Sequence, residues 1–205
     1  EKPKKTPKPK APVELKDYGF VAVCMGKGIT NILKDLGVDR VIEGGQTMNP
    51  STDDILKAVK RVKAKTVYVF PNNKNIIMAA NQAAELVEDK KIVVIPSKSV
   101  PQCISAMVEF NDKKSAEANE KAMNKAIGRV TSGQLTYAVR DTEIDGIEIK
   151  KDDILGMVEG KIVTVGKDID DVLNRVVSQM VDEDTEFLNV YYGKEIKKPQ
   201  ADVIL

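Results

Sequence analysis

The stretch KTVYVFPNNKNIIMAANQAAELVEDKKIVVI, Lys65 to Ile95, decides the architecture. KTVYVF and KIVVI are continuous β-branched and aromatic runs. Between them NIIMAANQAAELVED has helical spacing, with Ile76, Ile77, Ala80, Ala83, Ala84 and Val87 on one face. A strand that is apolar on both sides, followed by an amphipathic helix and a second such strand, is the signature of a parallel sheet covered on both faces. The same rhythm extends upstream. YGFVAVC (18–24) and RVIEG (40–44) read as strands, and NILKDLG (31–37) and STDDILKAVKRVK (51–63) as helices. Downstream, VPQCISAMVEF (100–110) reads as a further helix. The expected fold class is α/β, a parallel doubly wound sheet followed by a smaller mixed α+β unit with antiparallel hairpins.

That second unit is expected to span 113–205. A helix over 114–130 leads into alternating SGQLTYAVRDT (132–142), and an Asp145-Gly146 turn and a Glu159-Gly160 turn mark hairpins. A helix over 169–181 and a strand, EFLNVYYG (186–193), follow. Residues 199–205 read as the opening of a helix that continues past the end of the chain, so this unit is expected to be truncated. The parallel unit is placed at 15–112. Residues 1–14 are read as an interdomain linker, because Lys and Pro without large apolar residues cannot build a packed core.

The chain has 205 residues, 42% of them hydrophobic, which suffices for a sizeable core. Formal net charge is +1, yet residues 1–10 hold five lysines against one glutamate, so the basic character belongs to the tail. Without interleaved aromatics the tail is not read as binding nucleic acid. No apolar run reaches the roughly 18 residues of a membrane span and no leader is apparent, so a cytoplasmic protein is expected. Cys24 and Cys103, the only cysteines, are expected to be buried small hydrophobes rather than a disulfide. Histidine is absent, which removes every Ser/His or Cys/His device. Asp152, Asp153, Glu143 and Glu148 match no calcium loop and read as solvated charge; no metal site is expected.

Four polar loops follow the four strands of the parallel half: MGKG (25–28), GGQTMN (44–49), PNNKN (71–75) and PSKSVPQ (96–102). In open α/β sheets the carboxyl ends of the strands carry the binding site. The candidate binding residues are therefore Gly44, Gly45, Gln46, Thr47, Asn49, Asn72, Asn73, Asn75, Ser97, Lys98 and Gln102. Each loop also has a purely structural reading. Ser51 or Thr52 can cap the following helix, with Asp54 completing an S-x-x-D box, and Asn73 or Asn75 can do the same for the next. A phosphate cradle at Gly44-Gly45 is disfavoured, since Asp53 and Asp54 would repel an anion from the first helical turn and no nucleotide-binding glycine motif is present.

The stretches VIEGGQTMNPSTDDIL, VYVFPNNKNIIMAANQAAEL, VVIPSKSVPQCISAM and DGIEIKKDDILGMVEGKIV resemble, in order and over nearly the whole chain after the linker, the C-terminal region of the fatty acid kinase A subunit. This is the dihydroxyacetone-kinase-like, DegV-associated family. The resemblance implies a multidomain cytoplasmic bacterial kinase. Its N-terminal domain, absent here, would bind ATP and Mg, so no cofactor is expected in this stretch. A middle domain would follow, joined by the Lys/Pro tail. The C-terminal domain would engage a separate DegV-like B subunit carrying the fatty acid, which becomes an acyl phosphate for phospholipid synthesis. Related dihydroxyacetone-binding kinases hold substrate through a histidine, which this chain lacks. No catalytic residue is assigned; Lys74 and Lys98 are the candidates for stabilising an acyl-phosphate charge. The rival reading is a small-molecule module whose rim binds a polyol or phosphorylated metabolite.

Overall fold

The computed structural model describes residues 15–45, 48–144, 146–193 and 196. They divide into two compact units, up to Ile127 and from Gly128.

The first unit holds β1 (Lys16–Cys24), α1 (Lys27–Asp35), β2 (Arg40–Glu43), α2 (Thr52–Arg61), β3 (Ala64–Phe70), α3 (Ile77–Glu85), β4 (Lys91–Val94), α4 (Val100–Glu109) and α5 (Ala116–Ile127). All strands are parallel, in the order β2-β1-β3-β4. The uninterrupted burial of Phe20–Cys24 has a simple cause: successive side chains serve two different cores. Phe20, Ala22 and Cys24 pack with Leu33 of α1, Cys103 and Ala106 of α4 and Met123 of α5. Val21 and Val23 pack with Ile55 and Val59 of α2 and Ala80 and Ala83 of α3. Helices therefore cover both faces, as the periodicity requires. α3 is shorter than its apolar pattern: it ends at Glu85, with Val87 packing from the loop beyond.

The boundary expected after residue 112 lies at Ile127 instead. Two tyrosines and an asparagine explain the shift. Tyr18 Oη donates to the carbonyl of Lys114 at 2.6 Å, and Tyr68 Oη to that of Ala116 at 3.1 Å. Asn119, fully buried, donates to the Asn111 carbonyl and accepts from the Asn111 amide. Phe110 stands edge-on to Phe20, with ring centroids 4.8 Å apart. These contacts fasten the α4–α5 turn to the sheet, and Met123 completes the core beneath it.

The second unit contains β5 (Gly133–Tyr137), β6 (Thr142–Ile144), β7 (Ile147–Ile149), β8 (Ile154–Val158), β9 (Lys161–Gly166) and α6 (Ile169–Met180). β5-β8-β9 form an antiparallel sheet and β6-β7 a hairpin. The Glu159-Gly160 turn takes positive φ at both residues, 50° and 77°, as a tight two-residue hairpin needs. In the other turn Gly146 also has positive φ, and Asp145 lies outside the described residues. Gly156 lets α6 approach the sheet, since a Cβ there would stand 2.6 Å from Val176 Cγ2. Asp168 caps α6 by accepting from the Asp171 amide at 2.9 Å.

Two expectations are corrected by these elements. Residues 186–193 do not form a strand: no described strand pairs with them, and Phe187 remains 83% exposed. β-propensity without a ladder partner is insufficient. Asp153 is not solvated charge but buried, its carboxylate accepting from the Lys150 amide at 2.8 Å to close the turn between β7 and β8. The expectations for residues 1–14 and for 199–205 lie outside the described residues.

Candidate functional site: the carboxyl-end rim of the parallel sheet

With the order β2-β1-β3-β4, the chain leaves β1 toward one face through α1 and leaves β3 toward the other through α3. The two loops diverge above the β1/β3 pair, the position where open α/β sheets offer a crevice.

Asn72 occupies this point. Its backbone is left-handed, φ 56°, a conformation that asparagine tolerates better than most residues. Its Nδ2 donates to the Val23 carbonyl at the end of β1 at 2.9 Å. Its Oδ1 accepts from Ser97 Oγ at 2.7 Å, and its amide donates to the same hydroxyl at 3.2 Å. Ser97, after β4, is completely buried. One asparagine thus ties together the exits of β1, β3 and β4. Gln102 is likewise buried and accepts from the Lys98 amide at 2.7 Å, while Ser99 caps α4 by accepting from the Gln102 amide. Asn72, Ser97 and Gln102 therefore build the rim from within and do not present free polar groups to a ligand.

The next three residues form its tip. Asn73 Oδ1 accepts from the Asn75 amide at 2.9 Å, and the Asn73 carbonyl accepts from Ile76. Asn73 and Asn75 do not cap α3 as expected, because its N-cap is Ile76, with no side-chain cap bond. The turn supplied by Asn73 delivers the chain into the helix instead. Asn73 is half-buried, and Lys74 and Asn75 are exposed. Lys98 is exposed as well.

In the β2–α2 loop, the Gly44 amide donates to the Cys24 carbonyl and the Gly45 amide to that of Met48. A Cβ at Gly44 would lie 2.8 Å from Pro50 Cδ and 2.9 Å from the Met48 carbonyl oxygen, so this glycine lets the loop fold on itself. Gln46 and Thr47 are outside the described residues. Asn49 is exposed. The capping box forms as the sequence suggests: Ser51 Oγ accepts from the Asp54 amide, and the Asp54 carboxylate accepts from the Ser51 amide at 3.0 Å. Hydrogen bonds from the Ser51 side chain, then its backbone, hold the Asp54 carboxyl below its ordinary range.

Sequence reasoning missed two rim residues. Met25 and Met48 are 49% and 62% exposed, and Met25 lies against Gly45. The available signal was an apolar residue at the first position after β1. Both thiols are buried, and burial raises Cys24 and pushes Cys103 up to about 12, which disfavours the nucleophilic thiolate. Among the described residues no group of three or more His, Cys, Asp or Glu is placed to hold a metal. The rim thus presents amides, two methionines and three lysines, Lys27, Lys74 and Lys98, on a braced scaffold, a surface suited to recognition.

The model of the FakA-like C-terminal family, the terminal region of proteins like the A subunit of fatty acid kinase, matches residues 19–205. The chain belongs to that family. Protein YloV of Bacillus subtilis (strain 168) is 49% identical over 191 residues, which cover 93% of this chain and 34% of YloV. An uncharacterized protein of Staphylococcus aureus (strain USA300) is 44% identical over 197 residues, covering 96% of this chain and 35% of that protein. The chain spans about a third of the length of these relatives. A crystal structure of phosphotransferase system component EIIA from Streptococcus agalactiae superposes with a TM-score of 0.38 at 16% identity, over 54% of this chain and 92% of that one. Family membership places the chain in a fatty acid kinase-related setting. No described helix is long and apolar enough to cross a membrane.

Proposed function

We propose that this chain is the C-terminal region of the A subunit of a fatty acid kinase, and that its carboxyl-end rim docks a DegV-like B subunit carrying the fatty acid. In this reading ATP and Mg belong to a domain upstream, and the complex yields an acyl phosphate for phospholipid synthesis in the cytoplasm. The observation that carries the proposal is the division of labour in the rim. Asn72, Ser97 and Gln102 are consumed in bracing it, while Met25, Met48, Asn49, Lys74 and Asn75 are left exposed above. A rigid scaffold topped by exposed amides and methionines fits a protein partner, since pre-organised loops lose little entropy on docking. Lys74 and Lys98 are the groups available to steady phosphoryl charge at such an interface.

Calorimetric titration of the chain with a fatty-acid-loaded DegV-like protein tests the proposal. Binding in the micromolar range or tighter is expected. The absence of both heat and co-elution at about 100 µM overturns it. At the site itself, Lys74→Ala combined with Asn75→Ala should weaken the complex about tenfold or more without moving the thermal midpoint, the behaviour of contact residues rather than of the scaffold.

A further inference from the structure

Peroxides meet few reactive side chains on this protein. It contains no tryptophan and no histidine, and both of its cysteines are buried. The soft, oxidisable atoms are therefore the sulfurs of its seven methionines, and these are unevenly placed. Met107 of α4 and Met123 of α5 are buried in the core against the sheet. Met157 and Met180 are half-buried in the second unit, Met180 beside Gly133. Met25, Met48 and Met78 are exposed, Met78 by 70%.

These three stand at one end of one sheet. Met25 is the first residue after β1, Met48 lies in the loop after β2, and Met78 is in the first turn of α3, which follows β3. Because β2, β1 and β3 are adjacent in that order, the three residues follow neighbouring strand exits on the rim. Met25 and Met48 meet across Gly45. A Cβ there would stand 3.1 Å from the Met25 methyl, and the Gly45 amide donates to the Met48 carbonyl at 3.0 Å. None of the three belongs to either core of the first unit, so nothing inside the fold calls for methionine at these positions.

We propose that Met25, Met48 and Met78 form an oxidative modification site, at which peroxides convert the thioethers to sulfoxides and so weaken docking at the rim. The effect on docking rests on the rim being the surface that receives the DegV-like subunit. Each conversion is a two-electron oxygen transfer. A sulfur lone pair attacks one peroxide oxygen, the S–O bond forms as the O–O bond breaks, and the departing hydroxide takes the proton of the transferred oxygen and leaves as water. Sulfur is oxidised and the peroxide reduced, with no other reactant. A thioether is apolar and adapts to the surface it meets, whereas a sulfoxide carries a strong acceptor that a dry apolar contact leaves unsatisfied. With Met107 and Met123 shielded, the change is confined to the surface and the fold beneath it stands.

The test treats the whole chain with hydrogen peroxide, removes the excess with catalase, and combines peptide mass spectrometry with calorimetric titration against a fatty-acid-loaded DegV-like protein. Met25, Met48 and Met78 should oxidise about tenfold or more faster than Met107 and Met123. At the dose that oxidises the three, affinity should fall about tenfold or more while the thermal midpoint is retained. Met25→Leu with Met48→Leu and Met78→Leu, whatever its starting affinity, should lose none of it on the same treatment, because leucine offers no sulfur. Repair of the oxidised wild-type chain by the two epimer-specific methionine sulfoxide reductases should restore binding without any substitution. Equal oxidation of rim and core methionines overturns the proposal. So does undiminished binding by the oxidised chain, a loss that the leucine variant shares, or a loss that the reductases do not reverse. An untreated chain that does not bind at all refutes the docking reading itself, and the oxidative control falls with it.

Discussion

Replacing Asn72 by alanine removes the brace that holds three strand exits together. Two side-chain bonds disappear, at 2.9 Å to the Val23 carbonyl and 2.7 Å from Ser97 Oγ. Each contributes about 0.5–1.5 kcal/mol net, and the Ser97 hydroxyl, now buried without that acceptor, adds about 1–3 kcal/mol. Alanine also resists the left-handed backbone at φ 56°, by roughly 1 kcal/mol. Because these losses share one site they overlap, and the expected total is about 3–4 kcal/mol. Asn72→Gly loses the same bonds but accepts the backbone, so it should be about 1 kcal/mol less damaging than alanine. Urea denaturation monitored by circular dichroism measures both, with an unchanged m-value marking a pure stability effect. A loss below about 1 kcal/mol for alanine, or a glycine variant no better than alanine, refutes the brace.

Two further outcomes follow from the geometry. Gly44→Ala should cost about 1–3 kcal/mol by denaturant titration, because its Cβ meets Pro50 and a backbone oxygen; Gly45→Ala should be milder, since only the mobile end of Met25 must swing aside. Glu117 is held at about 2, against an ordinary 4.5, chiefly by its hydrogen bond from Lys91. A depressed carboxyl stabilises the fold above the ordinary value, and that contribution is lost as pH falls from about 4.5 toward 2. Glu117→Gln should accordingly flatten this acid limb of an unfolding profile. The difference should shrink in about 1 M salt, because the pair is exposed.

The parallel half was legible because its strands are buried on both faces: a run such as Val67–Phe70 admits few other readings once a helical period follows it. The cap at Ser51 and the Glu159-Gly160 turn were legible for a related reason, both being local. Long-range partners were not. Tyr18 and Tyr68 assign α5 to the first unit through bonds to carbonyls 96 and 48 residues away, and no local pattern announces them. Residues 186–193 are rich in strand-favouring Phe, Val and Tyr, but strand formation is decided by a pairing partner elsewhere. The rim was found as a set of loops. Which of its polar residues face inward was not readable, because asparagine and serine serve as brace and as contact with the same side-chain chemistry.

The strand order has a consequence for the history of each molecule. β1 and β2 leave the ribosome before β3, yet β1 lies between β2 and β3 and shares its longest register with β3, from Lys16 opposite Ala64 to Ala22 opposite Phe70. This deeply buried strand therefore waits, one flank open, until the residues through Phe70 have been made, and its completion requires closing that whole intervening loop at once. During this interval the nascent chain exposes Phe20–Cys24, the segment most in need of protection from neighbouring unfinished chains.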